Sequence, residues 1–339
     1  LSGRFKFMKI LITGGAGFMG SNFIKYILKN HSDWQVVNLD KLTYAGNLEN
    51  LCEIENNKNY SFVKGDIADR EDVEKAIGSG VDEIINYAAE THVDRSILEP
   101  DAFVKTDVFG TYTLLEAAKK YNVAQYIQIS TDEVFGSIEK GLFDEKSPFQ
   151  PNSPYAASKA GADLLCRAYF KTFNLPVIVT HSCNFLGPNQ YPEKLIPLLI
   201  TNLLEDKKIP IYGDGNQTRE WIFTEDHCRA IEKIMERGEP GEVYNIGTGS
   251  EKKNLETAKF ILRELGFGED KIEFVKDRPG HDRRYALNSE KLRRLGWQPE
   301  ISFEEALRRT IKWYRENENW WQKIKSGDYL EYYKKQYGK

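Results

Sequence analysis

Lys9-Ile10-Leu11-Ile12-Thr13-Gly14-Gly15-Ala16-Gly17-Phe18-Met19-Gly20 is the stretch that decides the fold. A short apolar run ends in closely spaced glycines, and a helical apolar pattern (Phe23, Ile24, Ile27, Leu28) follows. Glycines let a backbone turn tightly and lie against a pyrophosphate, and the free N–H groups of a helix start favour an anion. Val36-Val37-Asn38-Leu39-Asp40 then reads as a second strand. It ends in an acid about 20 residues on, where an adenosine ribose would be held. A glycine turn alone is weak evidence. The ordered series of strand, glycine loop, helix, strand and acid predicts a dinucleotide site. Asp40 favours NAD over NADP, because a 2′-phosphate would meet a carboxylate, while Lys41 beside it argues the other way.

Strands and helices alternate outward from this unit. Tyr60-Ser61-Phe62-Val63-Lys64, Glu83-Ile84-Ile85-Asn86-Tyr87, Tyr126-Ile127-Gln128-Ile129 and Val177-Ile178-Val179-Thr180 read as strands, with helical patterns near 70–78, 101–120 and 155–173. Such alternation implies an α/β fold with a doubly wound parallel sheet. Ligands bind beyond the carboxyl ends of its strands, so Asp40, Asp66, Ala88-Ala89-Glu90 and Thr131-Asp132-Glu133 are expected along one edge. After about residue 185, short Gly- and Pro-rich segments dominate, with helices expected near 193–205, 225–237, 254–265 and 302–317. Residues 8–185 are therefore read as a dinucleotide-binding domain carrying the catalytic residues. Residues 186–339 are read as a smaller, mainly substrate-binding α/β part, with a strand and a helix exchanged between the two. The closing aromatics Trp320-Trp321, Tyr329, Tyr332, Tyr333 and Tyr337 fit an amphipathic helix packed on the body. Residues 1–7 read as an extension ahead of Met8.

At 339 residues the chain can bury a substantial core. It is 40% hydrophobic and 29% charged, a globular composition. A net charge of -4 gives no electrostatic case for nucleic acid or an anionic membrane. The four cysteines (Cys52, Cys166, Cys183, Cys228) lack CxxC spacing and the five histidines lack metal-ligand spacing, so reduced thiols and no metal are expected. No apolar run reads as a signal peptide or reaches bilayer length, which makes a cytoplasmic protein the expectation.

The chemistry is concentrated in two segments, Ile129-Ser130-Thr131-Asp132-Glu133 and Tyr155-Ala156-Ala157-Ser158-Lys159. A Tyr four residues before a Lys puts both on one helix face. The ammonium is expected to favour phenolate, making the Tyr a base below its ordinary value of about 10. This pair points to oxidation of an alcohol. The adjacent carboxylates add an acid and a base, which suits loss of water during the oxidation. Read without their context, Asp132 and Glu133 would be a turn or a helix cap.

With these motifs in hand, the chain resembles the extended short-chain dehydrogenases/reductases, and within them the nucleotide-sugar 4,6-dehydratases. The resemblance runs from Met8 over nearly the whole chain. It includes Asp40-Lys41-Leu42-Thr43-Tyr44-Ala45-Gly46-Asn47-Leu48, Gly65-Asp66-Ile67 and Ala88-Ala89-Glu90-Thr91-His92-Val93-Asp94-Arg95-Ser96. It continues through Pro192-Glu193-Lys194-Leu195-Ile196-Pro197, Tyr212-Gly213-Asp214-Gly215 and Arg278-Pro279-Gly280-His281-Asp282-Arg283-Arg284-Tyr285. Sugar 4-epimerases of the same family usually lack the Asp132-Glu133 pair.

The resemblance implies tightly bound NAD held by Gly14, Gly17, Phe18, Met19, Gly20, Asp40, Lys41, Asp66, Ile67, Ala88, Ala89, Tyr155 and Lys159. It implies a nucleotide sugar contacted by Glu90, Thr131, Asn184, Lys194, Arg219, Asn254 and either His281 or Arg283. In the implied chemistry Tyr155, helped by Lys159 and Thr131, takes the C4 hydroxyl proton as hydride leaves C4. Glu133 removes the C5 proton, Asp132 protonates the departing C6 hydroxyl, and hydride returns to C6. dTDP-glucose is the implied substrate. The alternatives are a UDP- or other NDP-hexose, 4-epimerisation, or a silent NAD-binding protein. A homodimer through the 101–120 and 155–173 helices is also implied. His92 and His181 are read as local hydrogen-bonders, and Cys183 as a packing residue.

The chain departs from the family pattern in places. It reads Ser182-Cys183-Asn184-Phe185-Leu186-Gly187-Pro188 where Cys-Ser-Asn-Asn-Tyr-Gly-Pro is usual, and His181 where Arg or Asn is common. Phe135 replaces a Tyr near the acid/base pair, and Asp107 replaces an Asn that usually supports the strand ends and a proton relay. A charge at Asp107 is expected to alter the pKa values of the site.

Overall fold

Continuous apolar runs such as Ile10–Ile12 have no polar alternation, so they suit strands covered on both faces. The structure, a computed structural model, describes residues 7–78, 80–277, 280–326, 329 and 333. The strands are β1 (Lys9–Thr13), β2 (Gln35–Asp40), β3 (Tyr60–Lys64), β4 (Glu83–Asn86), β5 (Gln125–Thr131) and β6 (Val177–Ser182). They continue with β7 (Asn184–Leu186), β8 (Ile209–Tyr212), β9 (Thr218–Phe223), β10 (Val243–Ile246), β11 (Glu251–Lys253) and β12 (Ile272–Val275). Seven of them form a sheet in the order β10-β6-β5-β4-β1-β2-β3, every pairing parallel. The order reverses between β1 and β4. This opens a crevice at their carboxyl ends, the place where such sheets bind ligands.

Each sheet face has its own core. Phe23, Ile24 and Ile27 of the helix Phe18–Asn30 pack with Ile231 and Ile234 of the helix Thr224–Arg237 on one side. Leu114, Leu115, Cys166 and Tyr169 cover the other. A third core gathers Leu199, Ile211, Trp221, Ile261, Leu307, Tyr314 and Trp321 between the small sheets β11-β9-β7 and β12-β8 and their helices. β10 comes after residue 185 in sequence but joins the large sheet beside β6, and the helix Thr224–Arg237 covers one of its faces. Among the described residues no helix is long and apolar enough to cross a membrane.

The single helix expected over 101–120 is interrupted. A short turn, Pro100–Phe103, leads into a π-helical stretch, Val104–Gly110, before the α-helix Thr111–Lys120. The wider turn places the buried Asp107 so that its Oδ1 accepts the Glu90 N–H at 3.0 Å and its Oδ2 accepts the Ser158 hydroxyl at 2.6 Å. Apolar periodicity carries no trace of such a bulge, which often marks a functional position. At the other end of the chain Trp320, Trp321 and Tyr329 are buried. Residues 1–6, Arg278, Pro279, Tyr332 and Tyr337 lie outside the described residues.

Gly20 sits so close to the glycine turn that a Cβ there would fall 2.3 Å from the Gly14 carbonyl oxygen. Gly20→Ala should therefore cost about 1–3 kcal/mol. This is read as a lower urea midpoint, and an unchanged midpoint would show that the loop can move aside.

Candidate active site

A polypeptide approaches a pyrophosphate only where no side chain intervenes. Gly14 has φ +66, and a Cβ on it would lie 2.6 Å from the Ala88 amide nitrogen. The helix Phe18–Asn30 begins at Gly17 without a side-chain cap, which leaves its first N–H groups to a ligand. Asp40, buried at the end of β2, accepts the Ala16 N–H on Oδ2 and the Leu42 N–H on Oδ1, both at 2.8 Å. Burial raises its pKa, and those two bonds partly offset the rise. Each oxygen keeps a lone pair for a ribose hydroxyl. Lys41 pairs with Asp66 at 2.8 Å, so it is not left over to receive a 2′-phosphate. All the residues expected around the cofactor line one cleft, from Gly14, Gly17, Phe18, Met19 and Gly20 through Asp40, Lys41, Asp66, Ile67, Ala88 and Ala89 to Tyr155 and Lys159. This cradle fits a dinucleotide.

The reactive groups face the same cleft. Thr131 ends β5 and caps the next turn by accepting the Glu133 N–H at 3.3 Å, while its hydroxyl donates to Asp132 Oδ1 at 3.3 Å. Asp132 is buried, and its Oδ2 has no hydrogen-bond partner. Burial, then the charges of Glu133 and Glu220, push its pKa well up; Arg219 and Thr131 pull it back only in part. Asp132 therefore keeps its proton well above the ordinary carboxyl range, beside the half-buried Glu133.

Tyr155 departs from expectation. Burial, Glu133 and Asp107 hold its pKa well above 10, and Lys159 is not among its leading influences. The Lys159 ammonium donates to the Ile129 carbonyl at 2.7 Å and faces Asp107. Asp107 itself is pushed up to about 7 by burial, against the pull of Lys159, Ser158 and the Glu90 N–H. The lysine charge is thus shared with a buried acid, a pairing that the spacing of Tyr and Lys could not reveal.

Of the expected substrate contacts, Glu90, Thr131, Asn184 and Lys194 line the cleft. Arg219, Asn254 and His281 do not. Arg219 is held by the Thr218 and Asp282 carbonyls at 2.9 and 3.0 Å, over the Tyr285 ring. His281 pairs with Asp277 at 2.6 Å, and Arg283 with Asp214 at 3.1 Å. Asn254 opens the helix Asn254–Leu265 with its Oδ1 buried and unpaired. All four residues belong to the second part of the fold.

Among the departures, Phe135 points away from the cleft into a cluster with Phe143, Phe149 and His181. His181 bonds Asp163 at 3.1 Å, and His92 caps the helix Val93–Leu98, so both act locally. Ser182, Cys183, Asn184 and Phe185 line the cleft, whereas Leu186 is buried in the third core.

Sequence reasoning missed a cluster beside the cleft. Arg95 lies 3.9 Å over the Tyr44 ring and bonds Glu193 at 3.0 Å, and the Tyr44 hydroxyl donates to Glu193 at 3.0 Å. All three occur in the motif stretches quoted above. Their partners are 98 and 149 residues away, which hides the pairing.

The comparisons agree with this geometry. The family model described as GDP-mannose 4,6 dehydratase matches residues 11–310. A dTDP-glucose 4,6-dehydratase of Streptomyces niveus is 49% identical over 95% of this chain and 97% of its own length. The low-salt glycan biosynthesis protein Agl12 of Haloferax volcanii is 52% identical over 91% of this chain and 98% of its own. The crystal structure of DesIV, a dTDP-glucose 4,6-dehydratase from Streptomyces venezuelae with NAD and TYD bound, superposes with a TM-score of 0.91 at 47% identity. It covers 94% of this chain and 100% of that one. With a glycine cradle, a Tyr155/Lys159 pair and a proton-bearing Asp132 beside Glu133 in one crevice, the chain belongs to the nucleotide-sugar 4,6-dehydratase family of extended short-chain dehydrogenases/reductases.

Proposed function

We propose that this protein is an NAD-dependent dTDP-glucose 4,6-dehydratase that forms a 4-keto-6-deoxy sugar. The observation that carries the reading is the pair of adjacent carboxyls in unlike surroundings, facing Tyr155 and Lys159 across one cleft. Two acids at one site serve as acid and base when their environments push their pKa values apart. The chemistry NAD supplies when bound is reversible hydride transfer, out of C4 and back to C6 of the same sugar. Gly14, Gly17 and Gly20 with Asp40 hold the dinucleotide. Tyr155 takes the C4 hydroxyl proton, oriented by Thr131 and Lys159. Glu133 abstracts the C5 proton once C4 is a ketone. Asp132 gives its proton to the leaving C6 hydroxyl, through the carboxyl oxygen that has no partner in the protein. Glu90 and Lys194 hold the sugar or its diphosphate. Arg219, Asn254 and His281 supply further contacts to the nucleotide sugar from the second part of the fold. The thymine preference rests on the identity shared with the Streptomyces enzymes.

The same reading includes a homodimer in a reducing compartment. Val104 and Phe109 on one of the two helical stretches, Leu164 and Phe173 on the other, and Ile97 and Leu98 on the helix Val93–Leu98 are large apolar side chains left exposed. Exposed patches of this kind mark association surfaces. All four cysteines are free.

Three outcomes test these statements. Incubation with dTDP-glucose should yield a product one water lighter by mass spectrometry, with deuterium at C5 when the reaction is run in D2O. Glu133→Gln should cut its formation by about 10²- to 10⁴-fold; a product of unchanged mass would overturn the assignment.

Asp107 gives a pH signature. Its folded pKa of about 7 lies above the usual carboxyl value. Its contribution to stability is therefore fully present below the unfolded pKa of about 4 and lost as pH rises through about 7. Asp107→Asn escapes that loss. Its urea stability relative to wild type should rise by at least about 1 kcal/mol between pH 4 and pH 8, and parallel profiles would refute the burial argument.

Leu164→Glu should convert a dimeric mass in light scattering to a monomeric one. A monomeric wild type would remove the dimer from the reading.

A further inference from the structure

The aromatic residues near the end of the chain take no part in the chemistry above, yet they are bonded to the cofactor cradle. Trp320, in the helix Glu318–Ile324, donates its indole N–H to Asn50 Oδ1 at 2.9 Å, across 270 residues of sequence. The same oxygen accepts Asn189 Nδ2 at 3.1 Å. Asn50 is 3% exposed, and its Nδ2 donates to the Ala16 carbonyl at 2.9 Å. Ala16 is the glycine-loop residue whose N–H is bound by Asp40. One buried carboxamide therefore joins the glycine loop, the segment near residue 189 and the C-terminal helix.

A second set of bonds converges on the same segment. The Tyr314 hydroxyl donates to the Gln190 carbonyl, and the Tyr329 hydroxyl to the Pro192 carbonyl at 3.3 Å. The Tyr191 ring stands edge-on to Tyr44 at 5.2 Å and touches Tyr329 at 6.3 Å. Residues 187–194 contain no helix or strand. Their buried carbonyls need partners from outside the segment, because a buried unpaired backbone group is costly. Asn189, Gln190 and Tyr191 line the cleft that also contains Gly14, Gly17 and Gly20. The glycine loop is one wall of that cleft and this segment another. Tyr314 and Trp320 tie the walls to a common support.

We propose that Tyr314, Trp320 and Tyr329 are positioning residues for the dinucleotide, locking the glycine loop and the 189–192 wall into one unit and thereby setting how slowly the bound cofactor leaves. The inference rests on the NAD reading above. That chemistry returns the hydride to the sugar it came from, so each turnover regenerates the cofactor in place and slow release costs no turnover. Parting the two walls means breaking hydrogen bonds that are sealed from water. The effect belongs to dissociation, where most changes at a formed interface are expressed.

The test uses the full-length enzyme loaded with radiolabelled NAD, freed of unbound label and chased with excess unlabelled NAD. Trp320→Phe removes the indole donor, and the double variant Tyr314→Phe/Tyr329→Phe removes both hydroxyls with little change in volume. Each should release label roughly three- to tenfold faster, the factor expected for losing one or two net hydrogen bonds. Trp297→Phe is the control. Trp297 is also buried and its indole donates to the Asp226 carbonyl at 3.0 Å, a bond that ties neither the glycine loop nor the 189–192 wall. This variant should lower the melting temperature while releasing label at the wild-type rate. Unchanged release from Trp320→Phe and the double tyrosine variant, or equal acceleration by Trp297→Phe, would overturn the positioning role and leave the NAD reading standing. A wild-type enzyme that holds no NAD would overturn both.

Discussion

Backbone meets backbone where the glycine loop passes the end of β4, and the site is arranged around that approach. Gly14 and Ala88 come so close that no side chain fits between them. The contact draws the loop after β1 onto the strand where the sheet order reverses, and so fixes the crevice. Asp40 then anchors the loop through Ala16, and Asn50 holds the same residue from its carbonyl side. Phosphate-sized space and N–H groups remain because side chains are absent there. Chemistry and cofactor can share one cleft because the carboxyl ends of β1, β2, β4 and β5 open on the same edge.

Burial governs the electrostatics of the cleft. Asp40, Glu90, Asp107, Asp132 and Glu193 all have their pKa values raised, and loss of solvent is the leading cause for each. Desolvation disfavours the charged form of an acid. Asp132 is the clearest case: burial and the neighbouring acids outweigh the Thr131 hydroxyl and Arg219, which favour its charged form. For Tyr155 the same burial works against ionisation, and its neighbours Glu133 and Asp107 add to the difficulty. Lys159, held by the Ile129 carbonyl, acts instead on Asp107. The carboxyl at position 107 therefore enters the charge balance around Tyr155 while bonding the Glu90 N–H and the Ser158 hydroxyl.

The second part of the chain completes the site by bracing it. Arg219, whose charge acts on Asp132, is clamped by two carbonyls and the Tyr285 ring. The wall formed by residues 189–194 is irregular, and side chains from far along the sequence hold it in shape. Arg95 and Tyr44 meet Glu193 from one side, while Tyr314 and Tyr329 hold the carbonyls from the other. Large aromatic residues suit this work because they bury area and still carry one hydrogen-bonding atom.

The sequence by itself determined the strand alternation, the glycine loop with its acid, the Tyr155/Lys159 helix face and the acidic pair after β5. These are local patterns, whose meaning follows from periodicity and from the φ values that glycine alone tolerates. Only the tertiary structure decided which partners those residues meet. It brought Lys159 near Asp107, bulged the helix around 107, bound Arg219 to the Thr218 and Asp282 carbonyls and His281 to Asp277, and turned Phe135 into an aromatic cluster. It also joined Trp320 to Asn50. Charge coupling and hydrogen bonding depend on distance in space, and spacing along a chain reports that distance only within a turn of helix or a pair of adjacent strands.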